Sequence, residues 1–116
     1  RSWASNKGER RLRPSGPRQA ALPERHQNGA TLVDVRETDE FEAVSPVGAI
    51  NVPLSLIQKH GRKAFTKAGV DPETNGLLVI CRSGGRSAMA CQLIGAQAIN
   101  VEGGMLAWVT AGLPTS

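Results

Sequence analysis

The 116-residue sequence predicts a single α/β domain with a mainly parallel central sheet flanked by short helices. Four short aliphatic runs alternate with segments of helical character, and this alternation is typical of a parallel sheet. A chain of this length buries one modest core, which indicates one domain. Aromatic residues make up only 3% of the chain, so small aliphatic side chains must fill that core.

Each predicted element rests on a local pattern. The strands are aliphatic runs bounded by polar or turn residues, and they are expected at Leu32–Val35, Ala49–Val52, Leu77–Ile80 and Ala98–Val101. The helices are expected at Thr38–Ala43, Ser55–His60, Arg62–Ala68, Ser87–Ile94 and Met105–Ala111. Thr38 or Asp39 can cap the first helix, whose first turn is acidic as the helix dipole favours. Pro53 ends the second strand, and Gly69 and Gly112 suit helix C termini.

Charge is concentrated at the N terminus. Residues 1–25 contain seven Lys or Arg and two acids, whereas residues 26–116 contain seven Lys or Arg and eight acids, so the net charges are +5 and −1. We therefore predict a flexible basic tail over residues 1–29 and a folded domain over residues 30–116. The domain has no basic excess that would indicate nucleic acid as a partner. The tail composition also fits a targeting leader or a nucleic-acid-binding arm, and its role stays open.

The cysteine content and the hydropathy of the sequence indicate the cellular compartment. The two cysteines, Cys81 and Cys91, are too few for a disulfide scaffold, so we expect both to be reduced thiols in the cytoplasm. No apolar run is long enough to cross a membrane, and no hydrophobic signal segment is visible. We therefore expect a monomeric cytoplasmic protein that does not use a membrane as partner.

Cys81 is the strongest candidate for a functional residue. It follows an aliphatic strand and begins a glycine-rich turn that leads directly into a helix. Gly84 and Gly85 let successive backbone N–H groups converge into an anion-binding nest, and the helix N terminus adds partial positive charge. Arg82 and Arg86 add full charges. Each of these features favours thiolate over thiol, so we expect the pKa of Cys81 to be lowered.

Four segments, taken in order, resemble the rhodanese family. They are Leu32–Arg36 with Asp39–Phe41, Gly48–Pro53, Cys81–Ser87, and Glu102–Trp108 with Ala111–Pro114. The resemblance covers residues 31–114 and implies a three-layer rhodanese-like fold. It also implies sulfur transfer, in which Cys81 takes the outer sulfur of thiosulfate or a similar small anionic donor. The resulting persulfide would pass the sulfur to a thiophilic acceptor such as cyanide or a thiol, including a protein thiol.

The same resemblance assigns the rest of the site. The residues expected to bind substrate are Arg82, Ser83, Gly84, Gly85, Arg86 and Ser87. The loop amides and the two arginines would stabilise the anionic sulfur and orient the donor. No metal and no organic cofactor is expected.

Two alternatives differ in class from this enzyme. One is a non-catalytic persulfide carrier or interaction module. The other is a cysteine-based phosphatase, whose loop places five residues between its cysteine and its arginine. Only four residues separate Cys81 from Arg86, which favours sulfur over a phosphoryl group.

The chain departs from the family pattern in three places. The family's usual first strand and helix, which precede the Leu32–Arg36 segment, are hard to find in residues 20–30. Val44–Val47 stands where the family has a Gly-His-Ile-Pro type turn, so no role is carried to that histidine. The span Ala88–Gly104 is about four residues shorter than usual, and we expect a truncated helix or turn there.

The remaining conspicuous residues have structural interpretations. Asp34 and Arg36 are expected to form a polar pair near the active edge of the sheet. Cys91 is expected on a buried helix face, and Trp108 is expected to pack the last helix. A solvated acidic helix face is expected for Glu37, Asp39, Glu40 and Glu42.

Overall fold

A five-stranded sheet lies at the centre of the computed structural model, which describes residues 10–12, 31–74, 76–95 and 98–116. The strands are Arg10–Leu12 (β1), Leu32–Asp34 (β2), Ile50–Asn51 (β3), Leu77–Ile80 (β4) and Ala98–Val101 (β5). Their spatial order is β1-β5-β4-β2-β3, and each pairing is parallel. The predicted α/β class with a parallel sheet is confirmed.

The helices of the described residues occupy the predicted segments with small shifts at their ends. They are Thr38–Ala43 (α1), Leu54–His60 (α2), Lys63–Lys67 (α3), Gly85–Ile94 (α4) and Gly104–Thr110 (α5). The predicted cap of α1 was wrong, because Glu37 is the N-cap rather than Thr38 or Asp39. The Glu37 backbone N–H donates to Glu40 Oε1 at 3.0 Å, which ties that carboxylate to the start of the helix. None of these helices combines the length and apolar character needed to cross a membrane.

The edge strand β1 was not predicted. It pairs with β5 in parallel register, with Arg10 opposite Ile99 and Leu12 opposite Val101. Two of its three residues are arginines, so it lacks the aliphatic run that marks a central strand; an edge strand does not need one. Residues 1–9 and 13–30, which hold the rest of the predicted tail, lie outside the described residues. The boundary at residue 30 therefore stays a prediction.

Hydrophobic side chains cover both faces of the sheet, as the three-layer prediction requires. One face packs against α2, α3 and α4, and its largest fully buried side chains include Phe65, Ile57 and Ile94. The other face packs against α5 through Met105 and Trp108. Trp108 is buried in this cluster, which confirms its predicted packing role. Its indole Nε1–H donates to the Pro114 carbonyl at 2.8 Å.

Strand register brings three chain segments together at one edge of the sheet. Asp34 of β2 lies opposite Ile80 of β4, and Asn100 of β5 lies opposite Val79 of β4. The chain leaves β2 towards β3 and returns at β4 to build the other side, so the order reverses between β2 and β4. In open parallel sheets the ligand crevice forms at such a reversal, beyond the carboxyl ends of the strands. Cys81 is the first residue after β4, and it is therefore at that crevice.

Candidate active site around Cys81

The sulfur of Cys81 lies among hydrogen-bond donors of its own loop. The Gly84 backbone N–H donates to Sγ at 3.0 Å, and the Ser87 hydroxyl lies 3.3 Å from it. The backbone amides of Ser83 and Ser87 also help to lower the pKa of the thiol. This convergence requires a left-handed turn at Gly84, whose φ of 110° suits glycine. Ser87 lies in the first turn of α4, so the sulfur lies at the N terminus of that helix.

These donors favour the thiolate form of Cys81. Burial raises the pKa of the thiol, because desolvation penalises the charged form. Hydrogen bonds from the Ser87 side chain and from the backbone of Ser87, Gly84 and Ser83 act in the opposite direction. They outweigh burial and hold the pKa of Cys81 below its ordinary value of 9.0. A thiolate at this position can act as a nucleophile.

The N terminus of α5 holds the carbonyl side of the same loop. The Met105 N–H donates to the Cys81 carbonyl at 2.7 Å, and the Leu106 N–H donates to the Arg82 carbonyl at 3.0 Å. Gly104 permits this approach, since a Cβ there would lie 2.3 Å from the Cys81 carbonyl oxygen. The N terminus of α4 therefore lies at the sulfur, whereas the N terminus of α5 donates hydrogen bonds to the carbonyls of the loop.

Asn100 supports the Ser87 hydroxyl. Ser87 Oγ lies 2.5 Å from Asn100 Oδ1 and 3.1 Å from the Gly84 carbonyl oxygen, and Asn100 Nδ2 donates to that same carbonyl at 3.2 Å. A hydroxyl has one proton, so it serves one acceptor at a time. Asn100 thus holds the Ser87 oxygen beside Cys81 Sγ, and Asn100 Oδ1 and the Gly84 carbonyl share the hydroxyl proton with the sulfur. Sequence reasoning missed this residue, although a polar side chain within the aliphatic run of β5 marks it.

Arg86 is bound to Glu40 across the crevice. Its Nη1 donates to Glu40 Oε1 at 2.7 Å and its Nη2 donates to Oε2 at 3.0 Å. The bond from Arg86 is the main cause that lowers the pKa of Glu40 from 4.5 to about 2, against the opposing effect of burial. The prediction that Glu40 belongs to a solvated acidic face was wrong. The reason lies in the topology, because α1 follows β2 and α4 follows the neighbouring strand β4.

The two loop arginines, Arg82 and Arg86, have different surroundings in the structure. The hydrogen bonds to Glu40 are the main cause that raises the pKa of the Arg86 guanidinium, and the charge of Cys81 contributes a smaller effect in the same direction. Arg82 is exposed at the rim together with Ser83 and Gly85. Within the described part of the chain, its guanidinium makes no hydrogen bond to the sulfur. Hydrogen bonds from the loop, more than the two full charges, therefore stabilise the thiolate.

The Asp34–Arg36 pair and Cys91 have the structural roles predicted for them. Asp34 and Arg36 form a buried pair in which Arg36 Nε lies 3.0 Å from each carboxylate oxygen and Nη2 lies 2.7 Å from Oδ2. Cys91 is buried, at 3% exposure, on the helix face that meets the core.

Within residues 31–74, 76–95 and 98–116, no three His, Cys, Asp or Glu side chains cluster as metal ligands.

Comparison with known proteins places this loop in a family. The sequence pattern of the rhodanese-like domain matches residues 19–111. The chain is similar to a sulfurtransferase of Allochromatium vinosum, at 31% identity over 87 residues that cover 72% of this chain and 75% of that protein. It is also similar to YrkF of Bacillus subtilis, whose name proposes a sulfur carrier protein. That identity is 32% over 81 residues, covering 66% of this chain and 40% of YrkF.

The fold comparison agrees. The structure of a rhodanese-related protein from Thermoplasma volcanium superposes with a TM-score of 0.71 at 28% identity, covering 92% of this chain and 97% of that one. The chain belongs to the rhodanese-like domain family. The family and its sulfurtransferase-named relatives support sulfur transfer in general. The chain spans about half the length, 49%, of a further curated relative, from Synechocystis.

Proposed function

We propose that this domain is a sulfurtransferase that carries sulfane sulfur as a persulfide on Cys81. The observation that carries the proposal is the cradle of donors around Sγ, in which Gly84 N–H and Ser87 Oγ–H lie at hydrogen-bond distance and the Ser83 and Ser87 amides help to lower the pKa of the thiol. Such a cradle stabilises a thiolate before the reaction and an anionic persulfide after it. The spacing of four residues between Cys81 and Arg86 also favours sulfur over a phosphoryl group.

The reaction takes two displacement steps. The Cys81 thiolate attacks the outer sulfur of thiosulfate, the Sγ–S bond forms, the S–S bond of thiosulfate breaks, and sulfite leaves with the bonding electron pair. The terminal sulfur of the persulfide is then attacked by cyanide or by an acceptor thiolate, and the Cys81 thiolate is released. This is covalent nucleophilic catalysis, for which ping-pong kinetics are expected. Thiosulfate and cyanide are proposed reactants, and so is a protein thiol as acceptor.

A persulfide carrier is the second candidate function. It is favoured by the similarity to YrkF, whose name proposes a sulfur carrier protein. It would use the same cradle to hold the persulfide, but it would depend on a partner protein for delivery of the sulfur. The monomeric state and the cytoplasmic location are predictions of the sequence that belong with either function.

Intact mass before and after incubation with thiosulfate tests both candidates. The enzyme gains one sulfur atom, releases sulfite and returns to its original mass with thiocyanate formation when cyanide is added, turnover after turnover. A carrier gains the sulfur without sustained turnover. Cys81→Ala should gain nothing, whereas Cys91→Ala is the matched control and should still be loaded. Failure of the parent protein to gain sulfur, together with hydrolysis of an aryl phosphate, would replace the proposal with a phosphatase.

A further inference from the structure

The Ser87 hydroxyl lies among three acceptors of different character. Its Oγ lies 3.3 Å from Cys81 Sγ, 2.5 Å from Asn100 Oδ1 and 3.1 Å from the Gly84 carbonyl oxygen. Ser87 and Asn100 are buried, at 0% and 4% exposure, so bulk solvent has little access to the proton. The hydroxyl has one proton, and it donates that proton to the acceptor that is strongest in the current state of the sulfur.

The charge on Cys81 Sγ decides which acceptor is strongest. A thiolate is charged, and a hydrogen bond to a charged acceptor is roughly twice as strong as one between neutral groups. A thiol or a divalent sulfur is a weak acceptor, so the amide oxygen of Asn100 binds the proton better when Sγ is neutral. In a persulfide Sγ is neutral, because it is bonded to Cβ and to the terminal sulfur that carries the charge. Loading therefore turns the hydroxyl from the sulfur to the amide.

The strand register fixes Asn100 for this task. Asn100 lies in β5 opposite Val79 of β4, the last but one residue before Cys81. Its Nδ2 donates to the Gly84 carbonyl at 3.2 Å, which directs Oδ1 towards the hydroxyl. The same bond uses part of the accepting capacity of the carbonyl that competes for the Ser87 proton.

We propose that Asn100 is a positioning residue that helps to retain sulfur on Cys81 by accepting the Ser87 proton whenever Sγ is neutral. The inference rests on the proposed function and deepens it, since Asn100 stabilises the thiol and the persulfide relative to the thiolate. When cyanide or an acceptor thiolate attacks the terminal sulfur, the bond from that sulfur to Sγ breaks and its electron pair goes to Sγ. The hydroxyl then turns back to the thiolate, and its proton stays on Ser87.

Asn100→Leu removes the acceptor and nearly keeps the size of the side chain. We expect the midpoint of the alkylation–pH profile of Cys81 to fall by about one pH unit, because the thiol loses a stabilising partner whereas the thiolate keeps the hydroxyl. Asn51→Leu is the matched control, since Asn51 donates to the carbonyls of Asp34 and Arg36 and should leave the midpoint unchanged. A Cys91→Ala background leaves Cys81 as the single thiol of the chain.

A double variant separates proton sharing from a structural effect. Ser87→Ala has no hydroxyl proton to share, so adding Asn100→Leu to it should leave the midpoint where Ser87→Ala alone places it. The charged groups near the loop are the same in all of these variants, so a shift of the midpoint reports the redirected proton. They are Asp34, Arg36, Glu40, Arg82, Arg86 and Glu102.

The release of sulfur gives the second readout. Protein is loaded with thiosulfate, the excess is removed, and the formation of thiocyanate with cyanide is followed in a single turnover. Asn100→Leu should release its sulfur about threefold faster than the parent, because a thiol of lower pKa is a better leaving group. Ser87→Ala should release it more slowly, and the double variant should match Ser87→Ala.

Two outcomes would overturn the inference while the proposed function stands. A midpoint that rises or stays in place in Asn100→Leu would mean that Asn100 only holds Ser87 in position. A shift of equal size in the Ser87→Ala background would mean that the hydroxyl proton is not involved. Asn100→Ala, with the same expectations, replaces Asn100→Leu if thermal unfolding shows that the larger side chain prevents folding. If no donor loads Cys81 of the parent protein, the proposed function fails, and the claim of sulfur retention fails with it.

Discussion

Arg86 and Glu40, 46 residues apart in sequence, form a bidentate ion pair with N–O distances of 2.7 and 3.0 Å beside the Cys81 loop. Glu40 is on the helix that follows β2, and Arg86 is in the first turn of the helix that follows β4. The pair therefore crosses the point where the strand order reverses, and it joins the two walls of the crevice.

The pair should make stability depend on acid pH. The folded-state pKa of Glu40 is about 2, below its ordinary 4.5, so its contribution is present above pH 4.5 and is lost as pH falls towards 2. Since the pair is partly exposed, Glu40→Gln should lower the free energy of unfolding by no more than about 1 kcal/mol at neutral pH. Urea unfolding of the parent protein and the variant, between pH 7 and about pH 2, measures this difference in the free energy of unfolding. The difference between variant and parent should shrink as pH falls, and a constant difference would contradict the assignment.

The Ser87 hydroxyl should control the ionisation of Cys81. Ser87→Ala removes the side-chain donor to Sγ, which helps to lower the pKa of the thiol. We expect the rate of alkylation at neutral pH to fall about tenfold, ~1.4 kcal/mol, and the midpoint of the alkylation–pH profile to rise. Ser83→Ala is the control, because Ser83 reaches the sulfur through its backbone N–H and its side chain is exposed. Equal profiles for the two variants would refute a role for the hydroxyl.

Gly104 should be intolerant of a side chain. A Cβ there would lie within 2.6 Å of both Cys81 and Arg82 backbone atoms, and its φ of +57° disfavours other residues. Gly104→Ala should destabilise the fold by about 1–3 kcal/mol or more and reduce sulfur loading. Gly85→Ala is the control for stability, since nothing lies within 4 Å of that position and its φ is not in the left-handed range. Thermal unfolding of both variants decides, and equal stability would show that the approach of α5 is not tight.

The Asp34–Arg36 pair should be costly to break. Asp34 is 0% exposed and Arg36 is 4% exposed, so Asp34→Asn leaves a buried cation without its counter-charge. We expect a loss of about 3–5 kcal/mol in the free energy of unfolding. Asp39→Asn, at an exposed position on α1, should stay within about 0.5 kcal/mol of the parent. Denaturant titration compares the two, and similar small losses would mean that water reaches the pair.

Local patterns were sufficient to predict the central strands and the turn at Cys81. Every residue of β2, β4 and β5 is buried, so these strands are mostly aliphatic and their composition alone indicates strands. The glycines after Cys81 predict a turn of left-handed backbone, which Gly84 adopts. The prediction of a buried Cys91 follows equally from a small apolar thiol on a helix.

Long-range relationships were not predictable in the same way. Glu40 looks like any carboxylate in a first helical turn, and only the adjacency of β2 and β4 brings it to Arg86. Asn100 reaches Ser87 because β5 pairs with β4 in a particular register. The strand Arg10–Leu12 joins the sheet by backbone pairing with β5, which leaves no hydrophobic pattern in the sequence.

A single-turnover measurement of sulfite tests the central claim most directly. Excess thiosulfate is mixed with the protein without an acceptor, and sulfite is counted against protein. The proposed function predicts a burst of one sulfite per Cys81 and its absence in Cys81→Ala. After the unreacted thiosulfate has been removed, added cyanide should give one thiocyanate per protein. Two results would contradict a persulfide on Cys81. One is sulfite release that persists in Cys81→Ala. The other is a parent protein that neither releases sulfite from thiosulfate nor gains sulfur from a persulfide donor.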